Sequence, residues 1–324
     1  MRQESFCMQE NETIESNAFY GKKSNLLSEL VPQFLAYGQY ECSFAKETIQ
    51  KYGECLGWII KDIGDIPIQQ LDLAYVGVLR QKVADRGAGA SRMAGMVYVL
   101  KHLLRFSQKN LGLTVMDSNL ISPPKRPRRE VIFLSNEEIE QFFDSIKIEN
   151  VYASKNNTKQ INLDGLRFRA LVEVLLGTAM RISEALSLNR DSIDFEKKEV
   201  KIIGKGNKER IVFFNDRSLR WVNFYMEQRK DDYEPLFVTH HGTRLNRADV
   251  SKIFQGYVKR SGINKKVTPH ILRHTTATNL LFNGCPMAHI KEILGHERLE
   301  TTCRYYLGLD RRKAKEAHKQ YLNY

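Results

Sequence analysis

Residues 122–129 read Ser-Pro-Pro-Lys-Arg-Pro-Arg-Arg, three prolines and four cations in eight positions. Proline lacks an amide hydrogen and clashes with the preceding turn, so no helix runs through this stretch. It stiffens toward polyproline II instead, and its cations keep it in water. Helical periodicity lies on both sides of it. A chain of 324 residues interrupted in this way is expected to fold as two units rather than around one continuous core. The predicted divisions are a polar, acidic arm over 1–20, a helical unit over 21–117, a basic linker over 118–132 and a second unit over 133–324.

In the first unit Leu26, Leu27, Leu30, Val31, Phe34 and Leu35 repeat at intervals of three and four, the spacing of a helix face. A second helix is predicted from about 45 to 63, and a third from 73 to 84. The third ends before the glycine-bearing loop Arg86-Gly87-Ala88-Gly89. Ser91 is the predicted cap of a long helix reaching about 110. Beyond the linker, Ser135 and Glu138 form a capping box ahead of Ile139, Phe142, Phe143 and Ile146. An apolar helix over 164–176 is predicted to end at Gly177, with another beginning at Thr178. Residues 200–203 and 210–214 read as two strands of a hairpin joined by Gly204-Lys205-Gly206-Asn207-Lys208-Glu209. The fold class is therefore mainly α with a small β-hairpin or sheet.

Composition narrows the class of function. With 42% apolar residues and no long apolar run, the chain reads as soluble, with no membrane partner. Its start has no basic segment followed by an apolar run, so no secretory signal is expected. Five cysteines without a Cys-x-x-Cys pair argue against a disulfide framework or a cysteine zinc site; a reducing cytoplasm is the default. The net charge of +12 resides in residues 118–324, because the arm and the first helical unit cancel. Such a basic portion fits a polyanion partner.

The chemistry gathers between 270 and 306. His270 and Arg273 share a helix face at i,i+3, His296 follows Leu294-Gly295, and Tyr305 lies nine residues further on. A guanidinium, imidazoles and a phenol together suit an anion, above all a phosphate. Arg181 stands at a predicted helix start, where the helix dipole disfavours a cation. Two guanidinium forks, Arg181 and Arg273, have the means to hold the non-bridging oxygens of one phosphodiester. His270 and His274 have the i,i+4 spacing of a zinc pair, but Ile271 and Leu272 occupy the place of the required glutamate. No metal and no other cofactor is expected.

The string His270-Ile271-Leu272-Arg273-His274-Thr275, then Leu294-Gly295-His296 and a tyrosine at the matching distance, resembles the tyrosine recombinase (phage integrase) family. Gly177 to Ala185 resembles the family's T-G-L-R-x-S-E-L box, loosely before Arg181 and closely after it. Gly-Lys-Gly-Asn-Lys-Glu-Arg at 204–210 is similar to the bacterial Xer recombinases. The resemblance implies an N-terminal helical core-binding (SAM-like) domain and a mostly helical catalytic domain. It implies Arg181 and Arg273 as catalytic arginines, and His270 and His296 for proton transfer and hydrogen bonding to phosphate. Lys205, with Lys208 as competitor, would donate a proton to the leaving 5′ oxygen. Tyr305 would be the nucleophile, with Tyr306 the adjacent alternative. Glu184 would orient the site and His274 would support it.

Candidate DNA contacts are Arg92, Lys101 and Arg105 on the long helix, Lys125, Arg126, Arg128 and Arg129 in the linker, and Lys208. The implied reaction cleaves and rejoins a duplex recombination site through a 3′-phosphotyrosine and a Holliday junction, in a tetramer. Xer-like dimer resolution and mobile-element integration both fit. The C-terminal helix bearing Ala314, Ala317 and Tyr321 would dock on a neighbouring subunit. The rivals are a DNA-binding protein of this fold without catalysis, and a type IB topoisomerase.

Overall fold

The computed structural model describes residues 25–125, 132–151, 159–204 and 209–296, with positions 318, 319 and 322. The expected N-terminal arm, residues 126–131 of the basic linker and Ala314, Ala317 and Tyr321 of the C-terminal helix lie outside these. The chain divides into two compact units, Met1–Arg128 and Arg129–Tyr324.

Among its described residues the first unit packs α1 (Leu27–Tyr40), α2 (Lys46–Ile63) and α3 (Leu73–Asp85) around α4 (Ala90–Asn110). The predicted periodicities produce this core: Leu30, Phe34, Leu56, Ile59, Leu100 and Leu103 are all buried in one cluster. Asp72, whose carboxylate accepts from the amides of Ala74 at 2.8 Å and Tyr75 at 3.1 Å, caps α3. The predicted cap of α4 is corrected: Gly89 is the N-cap, and Ser91 lies one residue inside the helix. Serine, lacking any long apolar reach, suits an exposed first turn as well as a cap.

In the second unit α5 (Asn136–Asp144) begins with the predicted capping box. Ser135 Oγ accepts from the Glu138 amide at 3.2 Å, and the Glu138 carboxylate accepts from the Ser135 amide at 2.8 Å. A short antiparallel pair, β1 (Glu149–Val151) and β2 (Lys159–Ile161), leads into α6 (Leu163–Thr178). This helix is apolar around most of its circumference, and eleven of its sixteen residues are buried, which makes it the axis of the unit. It runs through Gly177, where the sequence predicted its end. A side chain at Gly177 would meet Asn215 and Ser218 at 2.8 Å, so this glycine serves close packing. The turn falls instead at Ala179, left-handed at φ 55°, and α7 (Ile182–Ser187) starts four residues later than predicted, with Arg181 as N-cap.

The hairpin strands β4 (Glu199–Ile203) and β5 (Glu209–Phe213) pair as expected, with Ile203 opposite Glu209, and β3 (Ile193–Asp194) adds a third antiparallel strand. Val200, Ile202 and Val212 point into the core. Then come α8 (Asp216–Gln228), α9 (Arg247–Ser261), α10 (Pro269–Phe282) and α11 (Met287–Leu294). Among the described residues no helix is long and apolar enough to cross a membrane.

Candidate active site

Three chain reversals bring the site together. The first is the end of α6: Thr178 Oγ1 donates to the Val174 carbonyl at 2.6 Å and accepts from the Met180 amide at 3.1 Å. With Ala179 left-handed, the chain turns so that Arg181 stands at the start of α7. The second is the start of α10, where Thr268 Oγ1 accepts from the Ile271 amide at 3.3 Å and Pro269 supplies a preset φ at the first turn. That helix carries His270, Arg273 and His274 on one face. The third is the end of α11, where Gly295 at φ 59° closes the helix ahead of His296.

The two arginines are held by carbonyls that a helix terminus leaves unpaired. Arg273 is 4% exposed; it donates to the Ala179 carbonyl at 2.6 Å and to the Leu294 carbonyl. Arg181 Nη2 donates to the next carbonyl, Gly295, at 3.2 Å. The negative end of the α11 dipole thus draws both guanidiniums to one place. Glu184 completes the frame: its carboxylate accepts from the Arg181 amide at 2.7 Å and from Arg181 Nη1 at 2.8 Å. A favourable geometry therefore resolves the dipole conflict seen in the sequence, because a carboxylate three residues on binds the cation at the helix start.

Arg181, His270, Arg273, His274 and His296 line a cleft of about 610 Å³, together with Arg247 from the start of α9. Three arginines and three histidines face it, and no Asp or Glu is among the described residues of its lining. Partial burial lowers the pKa of His296 to about 4, aided by Arg273, Arg181, His274 and Arg210. His274 is likewise lowered to about 4 by burial, His270 and Arg273. His270 stands at the exposed rim, and desolvation with Arg273, Arg181 and Arg247 nearby pulls it down as well. All three are therefore neutral near pH 7, able to donate or accept a hydrogen bond, while the arginines supply the positive charge. Burial opposes ionisation of Glu184, but hydrogen bonds from Arg210 and Arg181 outweigh it and hold its carboxyl below the ordinary range.

The structure brings together Arg181, Glu184, His270, Arg273, His274 and His296. Lys205, Lys208, Tyr305 and Tyr306 lie outside the described residues, as do Arg126, Arg128 and Arg129. In the first unit Lys101 donates to the Ile121 carbonyl at 3.0 Å, and Arg105 Nε to Ser118 Oγ at 3.0 Å. Both therefore fasten the segment that follows α4. Arg92 and Lys125 are exposed. The rings of His270 and His274 are 4.4 Å apart, edge to face. Among the described residues no third His, Cys, Asp or Glu joins them in a group able to hold a metal ion.

Sequence reasoning missed two arginines. Arg247 is separated by 23 residues from His270 in the chain and had no local signal beyond its place at a helix start. Arg210 closes the Gly-Lys-Gly-Asn-Lys-Glu-Arg string, where nothing local sets it apart from the two lysines.

Comparison with known proteins agrees with this geometry. Residues 133–312 match the model of the phage integrase family. A tyrosine recombinase XerD of Staphylococcus haemolyticus is 27% identical over 304 residues, covering 91% of this chain and 99% of its own. Another XerD, from Oceanobacillus iheyensis, is 33% identical over 217 residues, covering 64% of this chain and 68% of its own. Among solved structures, an XerH site-specific recombinase in a post-cleavage complex with a palindromic difH substrate has a TM-score of 0.69 at 19% identity, covering 94% of this chain and 99% of that one. The last likeness concerns the fold; the family match covers more than half the chain and coincides with the arginine and histidine cleft. The chain belongs to the phage integrase family, the site-specific tyrosine recombinases.

Proposed function

We propose that the cleft holds one phosphodiester of a duplex recombination site and that this chain cleaves and rejoins it through a 3′-phosphotyrosine. The observation that carries the reading is the cleft itself, with three arginines, three histidines lowered toward neutrality and no carboxylate lining it among the described residues. Such a lining favours an anion and stabilises the added charge of a pentacoordinate phosphorus.

In this reading Tyr305 Oη attacks the phosphorus, the bond from phosphorus to the 5′ oxygen breaks, and the phenol proton passes to the site. Lys205 delivers a proton to the departing 5′ oxygen. A free phenol has a pKa of about 10, so roughly one in a thousand is ionised at neutral pH. The guanidiniums of Arg181 and Arg273 lower that barrier by stabilising the phosphorane rather than by binding the ground state alone. His270 and His296 hydrogen-bond the phosphate and move protons. The phosphotyrosine keeps the energy of the phosphodiester, so a 5′ hydroxyl from a partner strand rejoins without a nucleotide cofactor.

Strand exchange through a Holliday junction then calls for several copies of the chain, and a tetramer with C-terminal tails docked between subunits fits it. Arg92 and Lys125, with the linker cations, add contacts to duplex phosphates. Action on chromosomal or mobile DNA places the protein in the cytoplasm. The organisation proposed is an N-terminal arm over 1–20, a DNA-binding helical domain over 21–117, a basic linker over 118–132 and a catalytic domain over 133–324.

The test uses Tyr305→Phe. This variant should recover a preferred duplex from a randomised pool, since affinity comes from cations that the change leaves intact. The parental chain should form a covalent adduct with that duplex when a nick lets the 5′ fragment escape, and Tyr305→Phe should not. Peptide mapping of the adduct to Tyr306 would move the nucleophile by one residue. Binding without any covalent adduct would leave a DNA-binding protein of the same fold.

A further inference from the structure

Glu184 has a second cation that the reaction so far leaves unused. Arg210, on β5, donates from Nη1 to Glu184 Oε1 at 3.0 Å and from Nη2 to Oε2 at 2.8 Å. This is a bidentate fork, the geometry in which a guanidinium fixes the plane of a carboxylate. The same two oxygens accept from Arg181. The fork therefore fixes where Arg181 finds its partners.

The other side of the guanidinium packs against Gly295. A Cβ there would lie 2.6 Å from Arg210 Cζ and Nη1. Gly295 is also the residue whose carbonyl receives Arg181, and it precedes His296. Arg210 thus lies in a stack of three elements: α7 through Glu184, β5 through its own backbone, and the end of α11 through Gly295. Lys205 stands five residues before it in the chain.

Stability alone does not account for this placement. The Arg210 side chain is 16% exposed, and its Nε is buried with no partner among the described residues. A second buried guanidinium on an already paired carboxylate carries a desolvation cost that an apolar side chain of the same volume would avoid. The arrangement is the one required if the hairpin must hold a set position relative to Arg181 and His296.

We propose that Arg210 is a positioning residue of strand cleavage, which through Glu184 and Gly295 keeps the catalytic arginine, the His296 turn and β5 in register. The inference rests on the recombinase reading of the cleft. It touches no reacting atom; it acts through Glu184 and through the turn at Gly295. His296 is faced by Arg273 and His274 from α10, Arg181 from α7 and Arg210 from β5. Loss of Arg210 therefore also changes the field at that imidazole.

The experiment measures single-turnover cleavage and DNA binding for Arg210→Met and Arg210→Lys, using the nicked duplex recovered with Tyr305→Phe. Thermal unfolding of each variant is recorded alongside. Arg210→Met should bind the duplex within about threefold of the parental chain, because affinity resides in phosphate contacts elsewhere. It should cleave at saturating DNA about 10²-fold more slowly, the scale of a misplaced catalytic group. The acid limb of its rate profile should move to higher pH, since His296 loses one of the cations that keep it neutral. Arg210→Lys keeps the charge without the fork and should restore the pH limb more fully than the rate.

A parental rate in Arg210→Met would overturn the proposal, and so would a loss confined to affinity. If Arg210→Met fails to fold, a parental rate in Arg210→Lys overturns it, and a slowed rate in a folded Arg210→Lys supports it. A parental chain that cleaves no recovered duplex sinks the proposed function itself, an outcome distinct from all of these.

Discussion

Substituting Glu184 by glutamine removes one charge and alters no volume, so its effect is computable from the contacts. The carboxylate is 7% exposed and accepts four hydrogen bonds, two from Arg181 and two from Arg210. An amide keeps one accepting oxygen and turns the other atom into a donor facing donors. At best two of the four bonds survive, and two guanidiniums lose their counter-charge. Removing one partner of a buried ion pair costs about 3–5 kcal/mol. The Arg181 side chain is 37% exposed and recovers part of its solvation, so we place the loss at the low end, about 3 kcal/mol. Of the chain's two tryptophans, Trp58 lies in the first unit and Trp221 in the second, and Trp58 is 45% exposed. Urea unfolding in a Trp58→Phe background, followed by Trp221 fluorescence, therefore reports the second unit. A loss below about 1 kcal/mol would mean that water or rearranged partners satisfy the guanidiniums, and the framing role assigned to Glu184 would fail.

Acid should destabilise the second unit, and the sign follows from the direction of the shifts. His274 and His296 have folded pKa values lowered to about 4, so below about 6.5 the unfolded chain takes up protons that the folded chain refuses. The Glu184 carboxyl, held down by its arginines, adds to this loss at lower pH. The unfolding midpoint should fall between pH 7 and 5, and His296→Gln should flatten that slope; a midpoint that rises on acidification would refute the reasoning. Gly295→Ala should cost more than Gly284→Ala in the same assay. Both glycines have positive φ, at 59° and 83°, but a Cβ at 284 meets nothing within 4 Å whereas one at 295 strikes Arg210. The backbone penalty alone is about 1–2 kcal/mol, so equal losses would show that Arg210 yields freely.

Local physics was legible in the linear chain. Capping chemistry acts over three residues, so Ser135 and Glu138 announced the start of α5 before any fold was known. Apolar spacing acts over one or two turns, and it marked the helices of the first unit and the two main strands of the sheet. The candidate site was legible only in part for that reason: His270 and Arg273 share one helix face, whereas Leu-Gly-His at 294–296 stood out by its resemblance to the family, and its left-handed glycine closing a helix was seen only in the fold. The helix over 163–178 was placed but ended two residues short, because Gly177 was read as a terminator. Its glycine answers to Asn215 and Ser218, residues some forty positions away that no local rule can weigh.

What the tertiary structure alone decided are relations between groups far apart in the chain. Arg273 finds its acceptors at Ala179, 94 residues away, and at Leu294; Arg181 finds Gly295, 114 residues away. The lowered pKa values of the histidines are equally non-local, because burial and neighbouring cations exist only once α7, α9, α10 and α11 meet. Arg210 shows the division most plainly. In sequence it is one basic residue after a hairpin turn, indistinguishable from a solvated cation; in the fold Glu184 grips its guanidinium and Gly295 covers it. Side-chain type and short-range spacing belong to the sequence, whereas desolvation and the pairing of charges depend on distances that only packing sets.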